Sequence, residues 1–233
     1  KDLGICYNDN GETVLNAPYY ERNLTELESP YTDEYTSALN GRIAYIESSR
    51  GCPFSCAFCL SGSQRSVRYF DMEYVKKSIL TLASSGAKTV KFVDRTFNAD
   101  SNRAEQIISF ILENRHTMPH DICFHFEVAA DILKESTIRL LESAPAGLFQ
   151  IEAGLQSFNE ETLCSVMRKT DTEKIALNVR RIAQKGNIHT HIDLIAGLPY
   201  EDFESFKKSF DEAYSIGAHK LQLGFLKLIY GSA

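Results

Sequence analysis

The sequence has 233 residues, 43% of them hydrophobic and 24% charged, which is enough apolar content for one large domain with a buried core. Its net charge of −6 is spread without a basic block, which argues against nucleic acid as the main partner, because phosphate binding needs clustered Lys and Arg. No run is long and apolar enough to span a membrane, and no secretory signal opens the sequence.

Residues 1–42 read as a leader or inter-domain linker, rich in Gly, Asn, Asp, Pro and Tyr and without lasting periodicity. Lys1 in place of Met implies material upstream. Asn10-Gly11, between Ile5–Tyr7 and Thr13–Leu15, predicts one small hairpin. From Ile43 to the end, residues 43–233 form one core domain. Strand-like runs near 43–48, 89–94, 122–128, 148–154, 189–196 and 220–226 alternate with helical patterns near 71–85, 101–115, 134–143, 171–185 and 201–215. Asp71, Ser101, Asp171 and the Pro199–Glu201 segment mark helix starts. Gly86, Gly186 and Gly217 fall just past helix ends. Strand–helix–strand repeated in this way gives parallel strands, so a barrel or a doubly wound sheet.

The strands choose between the two. Side chains alternate across a strand, so Phe149, Ile151, Ala153 and Leu155 share one face, opposite Gln150, Glu152, Gly154 and Gln156. Ile192, Leu194 and Ala196 likewise oppose His189, His191 and Asp193, and Phe124 and Phe126 oppose His125 and Glu127. A doubly wound sheet is apolar on both faces. One polar face on several strands suits an α/β fold of the partial (β/α)6 TIM-like barrel kind, with a working lumen. His125, Glu127, His189, His191, Asp193 and Gln222 are candidates for its lining.

Cys52, Cys56 and Cys59 crowd into one loop directly after the first barrel strand, while Cys6, Cys123 and Cys164 stand alone. This pattern suits a reducing cytoplasm better than a disulfide framework. Three soft thiolates can wrap three corners of an iron–sulfur cube and leave one iron open to another ligand. A zinc site would need a fourth ligand nearby, and the next histidine downstream is His116. A redox pair at Cys56 and Cys59 would leave Cys52 unexplained.

The spacing Cys52-x3-Cys56-x2-Cys59, with Phe58 just before the third thiol, resembles the defining motif of the radical S-adenosylmethionine (radical SAM) superfamily. The resemblance runs from about Ile43 onward. It implies a metal site of Cys52, Cys56 and Cys59 holding a 4Fe-4S cluster, with the methionyl amine and carboxylate of S-adenosylmethionine on the fourth iron. One electron then cleaves the C5′–S bond and yields a 5′-deoxyadenosyl radical, which abstracts hydrogen from an unidentified organic substrate. It further implies cofactor contacts from Phe58 beside the adenine and from Asp94 at the methionyl amine. Glu152 and Gln156 would lie at the ribose or amino-acid end, Arg168 at the carboxylate, and Asp193 and Gly197 along the segment flanking the adenine. A flavodoxin- or ferredoxin-like reductant is implied as partner, with a small-molecule or peptide substrate and no membrane.

Within the superfamily, Gly4-Ile5-Cys6-Tyr7 and Ser29-Pro30-Tyr31 resemble the join between a cobalamin domain and the barrel, so cobalamin is expected in the parent protein, with methyl transfer as its use. The segments Glu152–Ser157 and Asp193–Pro199 also resemble the oxygen-independent coproporphyrinogen oxidase group. The competing class is a non-catalytic iron–sulfur or zinc module, whose mark would be a protein ligand on every metal.

Overall fold

The computed structural model describes residues 4–17, 19–63, 66–229 and 232; Lys1 lies outside them. Strands β1 (Cys6–Asp9) and β2 (Glu12–Leu15) make the expected antiparallel hairpin. It turns on Asn10 and Gly11 at φ +51° and +94°, the left-handed pair that such two-residue turns require. The rest of the leader is less linker-like than its composition suggests. Thr32 caps a short helix, α1 (Asp33–Ser37), and Leu24 and Leu39 are buried in the main core, with Tyr31 and Tyr35 packed against it.

From there the chain alternates. It runs through β3 (Ile43–Ile46), the two-residue strands β4 (Ser49–Arg50) and β5 (Arg68–Tyr69), α2 (Met72–Ala83), β6 (Thr89–Phe92) and α3 (Ser101–Glu113). It continues with β7 (Cys123–Val128), α4 (Glu135–Ser143), β8 (Phe149–Gln156), α5 (Glu160–Ser165), α6 (Thr172–Lys185), β9 (His189–Ala196), α7 (Phe203–Ser215) and β10 (Lys220–Phe225). Six strands form one parallel sheet in the order β10-β9-β8-β7-β6-β3. Its two end strands each have a single neighbour, so the expected six-stranded partial barrel is present with one side open.

The helices sit on the sheet because their apolar residues recur at helical spacing. Val75, Ile79 and Leu82 of α2, Ala104, Ile107, Ile108 and Ile111 of α3, and Ile175, Val179 and Ile182 of α6 are all buried. Between helices and sheet, Phe92, Phe97, Phe126 and Phe149 form one aromatic cluster, with the Phe97 and Phe126 centroids 4.1 Å apart. Burying each such side chain contributes about 1.5–3 kcal/mol.

Asp71 and Asp171 cap α2 and α6 as expected, and Gly86, Gly186 and Gly217 adopt φ of +81°, +76° and +76°. Helix α3 begins at Ser101 as read, with Asp100 as its cap, whose carboxylate accepts from the amides of Asn102 and Arg103. Asp202, not the Pro199–Glu201 segment, caps α7. In both, the cap is the aspartate with extended backbone directly before the first helical residue. Helix α5 escapes periodicity altogether, because a helix that short shows barely more than one turn; its readable signal is the Asn159 cap followed by Glu160 and Glu161.

Candidate active site

The alternation read along β8 holds. Phe149, Ile151, Ala153 and Leu155 are buried against the helices, and Gln150, Glu152, Gly154 and Gln156 are half-buried on the lumen side. At the end of the strand the register shifts between Gly154 and Gln156, and Gln156 adopts φ +75°. This bulge turns its side chain back over Gly154. A Cβ added to Gly154 would press on the Gln156 side-chain amide, which would have to move aside, and would lie 3.4 Å from an Arg168 nitrogen.

Cys52, Cys56 and Cys59 lie on the loop after β3 and β4, over the C-terminal ends of the strands. Together with Phe58, Thr96, Glu152, Gly154, Gln156, Arg168 and Asp193 they line one cleft of about 200 Å³. The loop is docked by backbone: the Ala57 amide donates to the Val166 carbonyl at 2.9 Å, and the Cys59 amide to Cys56 at 3.1 Å. Cys52 Sγ is 3.5 Å from Thr96 Oγ1. Arg168 Nη1 donates to Cys56 Sγ at 3.5 Å, and its Nη2 donates to the Gly154 carbonyl. Arg168 Nε is buried without a hydrogen-bond partner among the described residues, a donor placed where an acceptor is missing.

As they stand, the three thiols do not converge on a single ion. Zn–S bonds of about 2.3 Å put tetrahedral sulfurs about 3.8 Å apart. Among the described residues, the sets of His, Cys, Asp and Glu ligand atoms that converge within 4.8 Å are His125–Glu127–Glu152 and Glu152–His191–Asp193, and the three thiols form no such set. Wider spacing on a common cleft fits a polynuclear cluster.

Below the thiols the lumen is polar and charged. Lys91 Nζ lies 3.1 Å from Glu127 and 3.8 Å from Glu152, His125 Nε2 lies 3.2 Å from Glu152, and His191 Nε2 lies 3.0 Å from Asp193. The His125 imidazole, then Lys91 and His191, hold the Glu152 carboxyl well below the usual range against the opposing pull of burial. Lys91 supplies the counter-charge that these carboxylates need. His189, at the start of β9, and Gln222, on the end strand β10, are exposed; His189 packs against His219 rather than into the cleft.

Two expected cofactor residues are placed elsewhere. Asp94 is 1% exposed and turned away from the cleft. It accepts from the Ser48 amide at 3.1 Å, from the Ser48 hydroxyl at 2.8 Å and from the Ser49 hydroxyl. The reason is alternation: after β6 the side chains of Val93 and Arg95 face the hollow beside the thiols, and Asp94 between them cannot. Burial pushes its carboxyl up, and those hydrogen bonds offset part of that. Gly197, one residue past β9, is exposed and outside the cleft lining; its φ of +88° accounts for the glycine. Sequence reading missed Thr96, Lys91 and Arg95, none of which belongs to a recognisable motif.

Comparison with known proteins gives a consistent picture. The family model for the radical SAM superfamily matches residues 46–213. The cobalamin-dependent radical SAM methyltransferase TokK of Streptomyces tokunonensis is 27% identical over 187 residues, covering 76% of this chain and 26% of its own. The radical SAM methyltransferase TsrM from Kitasatospora setae, solved with cobalamin and a [4Fe-4S] cluster, superposes with a TM-score of 0.73 at 19% identity, covering 85% of this chain and 39% of that one. Coproporphyrinogen III oxidase (HemN) from Escherichia coli, a radical SAM enzyme, gives a TM-score of 0.62 at 18% identity, covering 91% of this chain and 52% of that one. The two solved structures share the fold. The chain spans between about a quarter and a half of the length of the curated relatives it matches.

Proposed function

This chain belongs to the radical SAM superfamily, whose family model covers well over half of it, and from that premise we propose that it is the catalytic barrel of an enzyme that cleaves S-adenosylmethionine reductively. Cys52, Cys56 and Cys59 would hold a 4Fe-4S cluster. When bound and reduced by one electron, such a cluster would supply the electron that splits the C5′–S bond of S-adenosylmethionine, the chemistry that yields methionine and a 5′-deoxyadenosyl radical for a substrate not yet identified. The observation that carries this reading is the cleft itself: three thiols that line it without converging on one ion, beside an arginine whose buried Nε has no hydrogen-bond partner among the described residues.

The chain's own residues then have distinct tasks. Arg168 fixes the Cys56 thiol and presents Nε to a carboxylate, a charge-assisted pairing for which its planar fork is suited. Gly154 lets the Gln156 side-chain amide lie against the strand, where it would face the ligand within the cleft. Phe58 offers a ring to the adenine, and Glu152 and Asp193 offer acceptors from the lumen side. Gly197 retains a role only through its backbone. In the longer protein we place a cobalamin domain before the hairpin, with residues 1–42 as the join and 43–233 as the barrel, and methyl transfer as the overall reaction. The relatives named methyltransferases support that choice. No described helix is long and apolar enough to cross a membrane, and a flavodoxin- or ferredoxin-like reductant in the cytoplasm completes the proposal.

The test is a titration of S-adenosylmethionine into reduced, anaerobically reconstituted protein, followed by the cluster's electron paramagnetic resonance spectrum. The wild-type spectrum is expected to change saturably. Arg168→Ala is expected to raise the dissociation constant roughly ten- to a hundredfold, because a hydrogen bond to a charged group contributes about 1.5–3 kcal/mol. Arg168→Lys, which keeps the charge but not the fork, should fall between. Iron content measured on the same samples separates lost binding from a lost cluster. A wild-type spectrum indifferent to saturating cofactor contradicts the open iron.

A further inference from the structure

Beside the cleft, and sharing Ser61, Arg95 and Glu127 with it, is a second hollow of about 490 Å³. Three guanidinium groups line it, from Arg50, Arg68 and Arg95, on a chain whose net charge is −6. Its acids are already engaged: Glu47 accepts from Arg50 Nε at 2.7 Å, and Glu127 pairs with Lys91 at 3.1 Å.

The arginines differ in how far they are committed. Arg50 is oriented by Glu47 and by the face of Phe70, with its central carbon 5.4 Å from the ring centroid, which leaves its terminal nitrogens for another partner. Arg68 gives one nitrogen to the Glu21 carbonyl, and the Glu21 carboxylate itself is taken up by Tyr19 and by the Asn23 amide. The Arg95 guanidinium makes no hydrogen bond or ion pair among the described residues, although it faces both hollows. A guanidinium is always charged and carries five donors in a fixed fork, a geometry matched by carboxylate and phosphate.

We infer that this hollow is an anion subsite, in which Arg95 and Arg50, with Arg68 behind them, hold a carboxylate or phosphate group of the substrate. Its position sets the substrate's direction. The anionic end lies on the β4–β5–β6 side, away from Arg168, and the shared wall at Arg95 and Glu127 lets the remainder of the molecule reach toward the thiols. The cofactor carboxylate has its own arginine on the far side of the cleft, so the two anions do not compete. That the occupant is the substrate rests on reading the adjoining cleft as the reaction site; that the hollow binds an anion does not.

Calorimetric titrations of inorganic pyrophosphate and, separately, malonate into reconstituted protein at low ionic strength test the assignment. Saturable binding of one anion per chain is expected for at least one of them. The tighter anion identifies the substrate group as phosphate or carboxylate. Arg95→Gln and Arg50→Gln should each weaken binding roughly tenfold or more, while Arg180→Gln, on an exposed helix face, should bind as wild type. The spectroscopic response to S-adenosylmethionine should survive in Arg95→Gln. Absence of saturable binding by either anion, or unchanged binding in both Arg95→Gln and Arg50→Gln, overturns the subsite. The S-adenosylmethionine titration reports on the cleft independently, so the two readings can fail separately.

Discussion

Replacing any one of Cys52, Cys56 or Cys59 with Ala is expected to remove the cluster, so that iron falls from about four per chain in the reconstituted wild type to a small residue. The three thiols share one cleft, and the loop that carries them keeps a backbone anchor that no thiol supplies, the Ala57 amide on the Val166 carbonyl, beside the weaker side-chain contacts of Cys52 with Thr96 and Cys56 with Arg168. The variants should therefore keep the fold while losing the metal, which far-ultraviolet circular dichroism of the same samples checks. Cys6 and Cys164 are exposed and Cys123 is half-buried on β7, all outside the cleft. Their Ala variants should load iron as wild type. Iron retained in two of the three thiol variants would contradict the ligand set.

The second large effect is expected at Asp94. Asp94→Ala leaves the Ser48 amide and the Ser48 and Ser49 hydroxyls without their buried acceptor. The cost should be about 3 kcal/mol, within the range for breaking a buried charged network. For a chain of this size that lowers the melting temperature by about 10 °C. Because Ser48 and Ser49 lead directly into the cysteine loop, iron loading should fall as well. Asp94→Asn keeps an acceptor of the same shape and should lose much less. Thermal unfolding followed with and without the cluster distinguishes this anchoring role from cofactor binding. A variant with wild-type stability but weakened S-adenosylmethionine binding would restore Asp94 to the cofactor.

Asp94 lies outside the cleft lining, although its place in the sequence implies a cofactor contact. A carboxylate at the end of a barrel strand looks like a ligand for an amine, but a strand's alternation decides which side chain meets the cleft, and Val93 and Arg95 have that face. The register beyond a strand's end is the least legible part of such a sequence. Where alternation spans a whole strand, as in β8, the buried and lumen faces follow directly from Phe149, Ile151, Ala153 and Leu155. The thiol triplet was legible because its chemistry is local in sequence. Arg168 was reached through its place after β8, yet its bonds to Cys56 and the Gly154 carbonyl join residues remote in the chain and leave no trace in spacing. The same holds for Thr96 beside Cys52, and for Lys91 among the lumen carboxylates. Leu24 and Leu39 give the opposite lesson: with Leu27, Tyr31 and Tyr35 packed beside them, scattered apolar residues without periodicity lay residues 24–39 of the leader against the core.

The central claim is that this barrel carries out reductive cleavage of S-adenosylmethionine, and the most direct measurement is product analysis. Anaerobic protein, reconstituted with iron and sulfide and reduced with dithionite, is incubated with S-adenosylmethionine, and 5′-deoxyadenosine and methionine are quantified by mass spectrometry. Both products are predicted to accumulate together in wild type and to be absent when Cys56 is replaced by Ala. Intact S-adenosylmethionine after incubation with fully loaded, reduced wild-type protein would contradict the account.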